Sequence, residues 1–119
     1  MAIKRFKDTI AWQKAQSYVV NIYSLFGKNT DYSFKDQICR AEVSISNNIA
    51  EGFDRNSDVD FMRFLYYSIS SCSETKFMLY LTEKLNYISS VQMNNLLNQT
   101  SEISKILHGL INSLRKKPN

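Results

Sequence analysis

Only one proline and three glycines interrupt the 119 residues of this chain. A β-sandwich or barrel needs special backbone angles every ten residues or so, and so few breakers leave room only for a few long helices. A hydrophobic fraction of 44% and an aromatic fraction of 13% argue against disorder. A chain of this length buries roughly two-thirds of its unfolded surface, so one domain across residues 1–119 is expected to fold without metals or disulfides. No apolar run approaches the roughly 20 residues of a membrane span, and no basic-then-apolar leader opens the chain. The expectation is a cytoplasmic protein with no membrane partner, in which Cys39 and Cys72 stay as buried thiols.

Apolar spacing divides the chain into four helices. Trp12, Ala15, Val19, Ile22, Tyr23 and Phe26 recur at steps of three and four, predicting a helix over about 9–26. Asp8 or Thr9 can cap it, and Gly27 suits a left-handed terminator. Phe34, Ile38, Ala41, Ile45 and Ile49 mark a second helix over about 34–51, opened by Ser33 with Asp36 and stopped by Gly52. Ser57 with Asp60 opens a third over about 58–85. Its seam of Phe61, Leu65, Ser68, Cys72, Thr75 and Leu79 is rich in small residues that let helices approach closely. Ser89 and Gln92 form a capping box for a fourth helix over about 90–116, where Met93, Leu96, Ile103, Leu107, Leu110 and Leu114 follow a heptad rhythm broken at Thr100. Long helices on short connectors pack as antiparallel neighbours, so the fold class is all-α, an up-down-up-down four-helix bundle.

The net charge of +4 is concentrated at the chain ends, in Lys4, Arg5, Lys7, Arg115, Lys116 and Lys117. In such a bundle both ends emerge together, beside a loop that adds Arg55 and Arg63 but also Glu51, Asp54, Asp58 and Asp60, leaving about +3 at that end. Such a patch suits a polyanion, and Lys4, Arg5, Lys7, Arg55, Arg115, Lys116 and Lys117 are candidate nucleic-acid contacts. Basic tails also serve solubility, and that reading stands beside the first. Phe6 is the sole aromatic at those ends, so stacking on single-stranded bases is not expected.

The third helix has more apolar surface than a small bundle can bury. Phe77 to Leu81 form an unbroken apolar run that wraps the helix, with Tyr66 and Tyr67 a few turns earlier. Contiguous exposed apolar surface marks interfaces, so Tyr66, Tyr67, Phe77 and Tyr80 are candidates for self-association. The alternative has the tyrosines lying flat on the rim with their hydroxyls in water.

Catalytic chemistry finds no foothold. His108 is the one histidine, and Lys105 stands where the acid of a Glu-x-x-His metal motif would be. The two cysteines lack zinc-ligand spacing, and no phosphate loop or nucleophile elbow is present. We expect no enzyme, no cofactor and no metal. Asn47, Asn48 and Glu51, near the end of an apolar helix, suit either structural hydrogen bonding or a small pocket or RNA contact. Arg40 and Glu74 fall at similar levels of the hairpin formed by the second and third helices and are expected to pair, fixing its register.

Several segments have a family likeness. Phe6-Lys7-Asp8 with Trp12-Gln13-Lys14-Ala15, Gln37-Ile38-Cys39-Arg40-Ala41, Ser44-Ile45 and Asn48-Ile49-Ala50-Glu51-Gly52-Phe53 with Arg55 are its main carriers. Phe64-Leu65, Ser71, Ser73-Glu74, Leu79 and Leu85 with Tyr87 extend it. The chain resembles the four-helix-bundle proteins encoded in intervening sequences of bacterial large-subunit (23S) ribosomal RNA genes, also called the S23 ribosomal protein family. The resemblance implies a homopentameric ring. It also implies kinship with the accessory protein of diversity-generating retroelements, a basic protein thought to bind nucleic acid and a nucleic-acid enzyme, a reverse transcriptase. Ser46 stands where the family commonly has proline, Ser70-Ser71 where it has Gly-Ser, and Lys76 where it has a second glutamate.

Overall fold

Each helix opens on a side chain that accepts a backbone N–H otherwise left without a partner. The computed structural model describes residues 9–116, and within them the chain forms α1 (Ile10–Phe26), α2 (Tyr32–Phe53), α3 (Asp58–Lys84) and α4 (Ser90–Arg115), with no strand. Thr9 accepts from the Trp12 N–H at 3.2 Å and Ser57 from the Asp60 N–H at 3.1 Å. At α4 the box is reciprocal: the Gln92 N–H donates to Ser89 Oγ at 3.1 Å and the Ser89 N–H to Gln92 Oε1 at 2.9 Å.

Two boundaries and one cap conformation differ from the sequence reading. Asp31, not Ser33, caps α2 by accepting from the Phe34 N–H at 3.2 Å, because a carboxylate two residues upstream reaches the first turn as well as a serine does. Gly52 does not end α2, which continues to Phe53 with Asp54 as its cap. Gly27 closes α1 in the right-handed region (φ −57°, ψ −29°), and the left-handed residue is Asn86 after α3 (φ 60°), a position asparagine tolerates.

Packing follows the apolar stripes. The helices α1 and α2, α2 and α3, α3 and α4, and α4 and α1 are in contact. Ser68 Oγ donates to Ile45 O at 2.6 Å and Ser71 Oγ to Ser44 Oγ at 3.1 Å, so the small residues of α3 do draw it onto the α2 backbone. Between α1 and α4, Lys14 meets Glu102, Tyr18 meets Thr100, and Asn21 Nδ2 donates to Gln99 Oε1 at 3.0 Å. Residue numbers rise along one helix as they fall along the other in both pairings.

The core holds Ile22, Phe26, Ile38, Ile45, Ile49, Leu65, Leu79 and Leu107, all shut off from water. Phe61, Leu65, Ser68, Cys72, Thr75 and Leu79 are buried as the α3 rhythm requires. On α1, Tyr18 is buried while Tyr23 is exposed. On α4, Thr100 fills the gap in the apolar pattern and Ile111 is buried ahead of Leu110. One end closes on Phe26, Phe34 and Tyr87, stacked edge to face, with the Tyr87 hydroxyl donating to Asp31 Oδ2 at 2.5 Å. The other closes on Phe53 against Phe61, ring centroids 5.9 Å apart.

Candidate functional site

Of the seven candidate nucleic-acid residues, Arg55, Arg115 and Lys116 lie within the described residues, whereas Lys4, Arg5, Lys7 and Lys117 lie outside them. Arg55 follows α2, and its guanidinium sits over the Phe64 ring at 4.5 Å from the centroid. Arg63, one turn into α3, approaches the same ring at 5.7 Å. Arg115, at the end of α4, donates to the Tyr66 hydroxyl and lies 5.7 Å from that ring's centroid, with Lys116 exposed beside it in sequence. The end is thus furnished with aromatic rings after all. They come from α3, not from the tails, which is why a count of aromatics near the chain ends missed Phe64, Tyr66 and Tyr67. Each guanidinium already spends a donor, Arg115 on the Tyr66 hydroxyl and Arg55 and Arg63 on carboxylates, and the rest of its five N–H groups can meet an anion.

Carboxylates temper this end. Arg55 pairs with Glu51 at 3.3 Å and Arg63 with Asp60 at 3.2 Å, both at the exposed surface, where such pairs contribute about 0–1 kcal/mol.

The candidate self-association residues are all exposed in the single chain. Tyr66, Phe77 and Tyr80 share the face of α3 opposite its buried seam, and Phe77 is 71% exposed. Tyr67 stands to one side, edge-on to Phe64 at 5.4 Å.

The structural polar residues divide. Arg40 and Glu74 do not pair: both are exposed, and the ion pairs among the described residues are formed by others. Their levels match, as the Ser44–Ser71 contact shows, but each lies on the outer surface, where hydration satisfies it. Asn48 bonds within its own helix, to Ser44 O at 2.8 Å and Ser44 Oγ at 3.0 Å. Asn47 is exposed and, with Asn48, Arg40, Lys35, Asp36 and Tyr23, lines an open groove of about 590 Å³ on α1 and α2. Cys39 and Cys72 are buried free thiols, both pushed up in pKa chiefly by burial, Cys72 to about 12. His108 is exposed on α4. No group of three His, Cys, Asp or Glu side chains among the described residues could hold a metal ion.

The residue that spacing alone could have found is Glu42. Ile38, Glu42, Ile45 and Ile49 step by four, three and four, and Glu42 is fully buried with no hydrogen bond to either carboxyl oxygen. Burial pushes its pKa up to about 9, so it carries a proton at neutral pH. Thr75 is near enough to oppose that shift, but its hydroxyl proton is committed to Ser71 O at 2.9 Å. Tyr18, hydrogen-bonded to Thr100, is raised by burial and then by Glu42. Glu42 also adds to the rise at Cys72.

These four helices and their seams match a known pattern. The family model of the 23S rRNA-intervening sequence protein matches residues 7–109. The chain belongs to that family. A solved relative is a protein of unknown function from the S23 ribosomal protein family of Bacteroides thetaiotaomicron VPI-5482. It is 27% identical, with a TM-score of 0.80 over 86% of this chain and 98% of its own. No protein of curated function matches this chain. Among the described residues of this 23S rRNA-intervening sequence protein, no helix is long and apolar enough to cross a membrane.

Proposed function

We propose that this protein is a non-catalytic, cytoplasmic RNA-binding module. In this reading it is an up-down-up-down four-helix bundle whose copies join through the outer face of α3 into a homopentameric ring. The basic end of each copy grips structured RNA. The observation that carries the proposal is the set of guanidiniums held over rings at one end, Arg55 and Arg63 on Phe64 and Arg115 on Tyr66. Ring contacts hold the guanidiniums in place, so less side-chain entropy is lost on meeting a phosphate. One copy offers a modest charge, and a ring multiplies it through avidity.

A salt titration of binding to a structured RNA tests this. Each phosphate neutralised on a duplex contributes a slope of about −0.9 to log K against log salt. Three guanidiniums per copy therefore predict a steep fall, and an affinity unchanged from low to moderate salt would refute the proposal.

The 71% exposure of Phe77 also suits a protein-interaction scaffold with no nucleic-acid contact. Light scattering separates the two. A mass near five times 13.8 kDa supports the ring, while a stable monomer leaves the α3 face to a different protein.

A further inference from the structure

The flank between α3 and α4 carries two lysines that enter no ion pair among the described residues, with Glu83 two turns along α3 from Lys76 and Glu102 one turn before Lys105 on α4. A groove of about 250 Å³ there is lined by Ser73 and Lys76 from α3 and by Ser101, Ser104 and Lys105 from α4, over buried Thr100. Among the described residues neither Lys76 nor Lys105 has an ion-pair partner. Two ammonium groups facing one groove repel each other, and an oxyanion between them turns that repulsion into attraction. The three serine hydroxyls supply uncharged donors for its remaining oxygens.

The groove does not stand alone. Asn98, Ser101, Lys105, His108, Asn112 and Arg115 step along α4 by three and four, and all are exposed. They form one stripe of about 25 Å, reaching from the groove to the guanidinium over Tyr66. The one carboxylate on α4, Glu102, is engaged by Lys14 on the α1 side. Glu74 lies about 160° round α3 from Lys76. Around the loop of Arg55 and Arg63, by contrast, every described cation has a carboxylate nearby.

We propose that the α3/α4 groove is a phosphodiester site and that the RNA backbone runs from it along the α4 stripe to Arg115. This rests on the RNA-binding reading above and assigns the path the strand takes. Lys76 lies about 100° round α3 from Phe77 but only one turn from Tyr80, so a second copy seated on the aromatic ridge borders the groove along its α3 edge and leaves the α4 side of it open.

The test is anisotropy with a labelled RNA hairpin, using the full chain across a salt series. The variant is Lys76→Glu with Lys105→Glu. Its charge-matched control is Lys28→Glu with Lys35→Glu, in and beside the α1–α2 connector. Losing two phosphate contacts should flatten the salt slope by about 2 and weaken binding at least about tenfold, with the control changing far less. Replacing both groove lysines by arginine should retain binding. Equal weakening in the glutamate variant and its control overturns the groove and leaves the RNA-binding reading standing. A wild-type chain that binds no RNA overturns both. Inorganic phosphate raising the melting temperature of the wild type alone, with no RNA bound, reassigns the groove to small oxyanions and overturns the RNA path.

Discussion

A carboxyl group with no hydrogen bond at the centre of a helical core must give up its charge to stay there. Glu42 does so, and the consequence is a pH dependence of known sign. Its folded pKa of about 9 lies above the ordinary value of 4.5. Between those values the folded chain holds a proton that the unfolded chain has released. Stability from this group is therefore full below about pH 4.5 and is lost as pH climbs to about 9, with a slope of up to about 1.4 kcal/mol per pH unit. From about pH 9 upward Cys72, raised from 9.0 to about 12, adds to the loss, and Tyr18 joins only above its ordinary value of 10. Urea unfolding of Glu42→Gln at pH 5, 7 and 9 should show a flatter profile than the wild type, and parallel profiles would refute the assignment. Glu42→Leu should be more stable than the wild type at pH 8, since it buries a similar volume with no polar group to desolvate. Glu42 was hard to see in the sequence because hydropathy places every acid at the surface. Only its place in the four-three-four rhythm of α2 betrays it, and Ala41 next to it fits the apolar pattern almost as well.

The helices as elements were far more legible than their ends. The six seam positions read for α3 are buried, and the Ser89–Gln92 box forms as written, because repeated spacing averages over many residues and a reciprocal cap involves only local geometry. Boundaries turn on single contacts that spacing does not encode. Gly52 is the clearest case: a Cβ there would stand 2.7 Å from Phe64 Cβ and 3.0 Å from Phe61 Cδ1, so this glycine serves close helix approach. Gly52→Ala would gain about 1 kcal/mol of helix propensity. It would also force apart two helices at an atom fixed to the α3 backbone, which costs about 1–3 kcal/mol. The clash should win, lowering the denaturation midpoint. Gly109→Ala should do the reverse, because nothing lies within 4 Å of its added methyl, and stability should rise by about 0.5–1 kcal/mol. Two alanine substitutions of opposite sign, read by the same urea titration, test whether α2 and α3 are as tightly apposed as the Ser68–Ile45 bond indicates. The failure of Arg40 and Glu74 to pair has a related cause. Sequence levels along a hairpin locate height, not azimuth, and both residues lie on its outer surface.

At the scale of the whole molecule, the chain is a rod of 51 × 20 × 19 Å with one side left aromatic. Tyr66, Phe77 and Tyr80 form a ridge along α3, and Lys76, one turn from Tyr80, begins the flank that carries the lysine groove. Burying one phenylalanine contributes about 1.5–3 kcal/mol, so losing Phe77 from every interface of a closed assembly is felt at each contact. Phe77→Asp should therefore reduce the mass seen by light scattering to 13.8 kDa while leaving helix content intact, since the side chain it replaces touches water and not the core. An unchanged assembly would mean that the ridge is only a rim. The same variant links the two surfaces. If avidity across copies supplies most of the RNA affinity, the dissociated chain should keep its groove yet bind the hairpin about 10²–10⁴-fold more weakly than the assembly. A monomer that binds as tightly as the wild type would show that one flank suffices and that the ring serves some end other than grip.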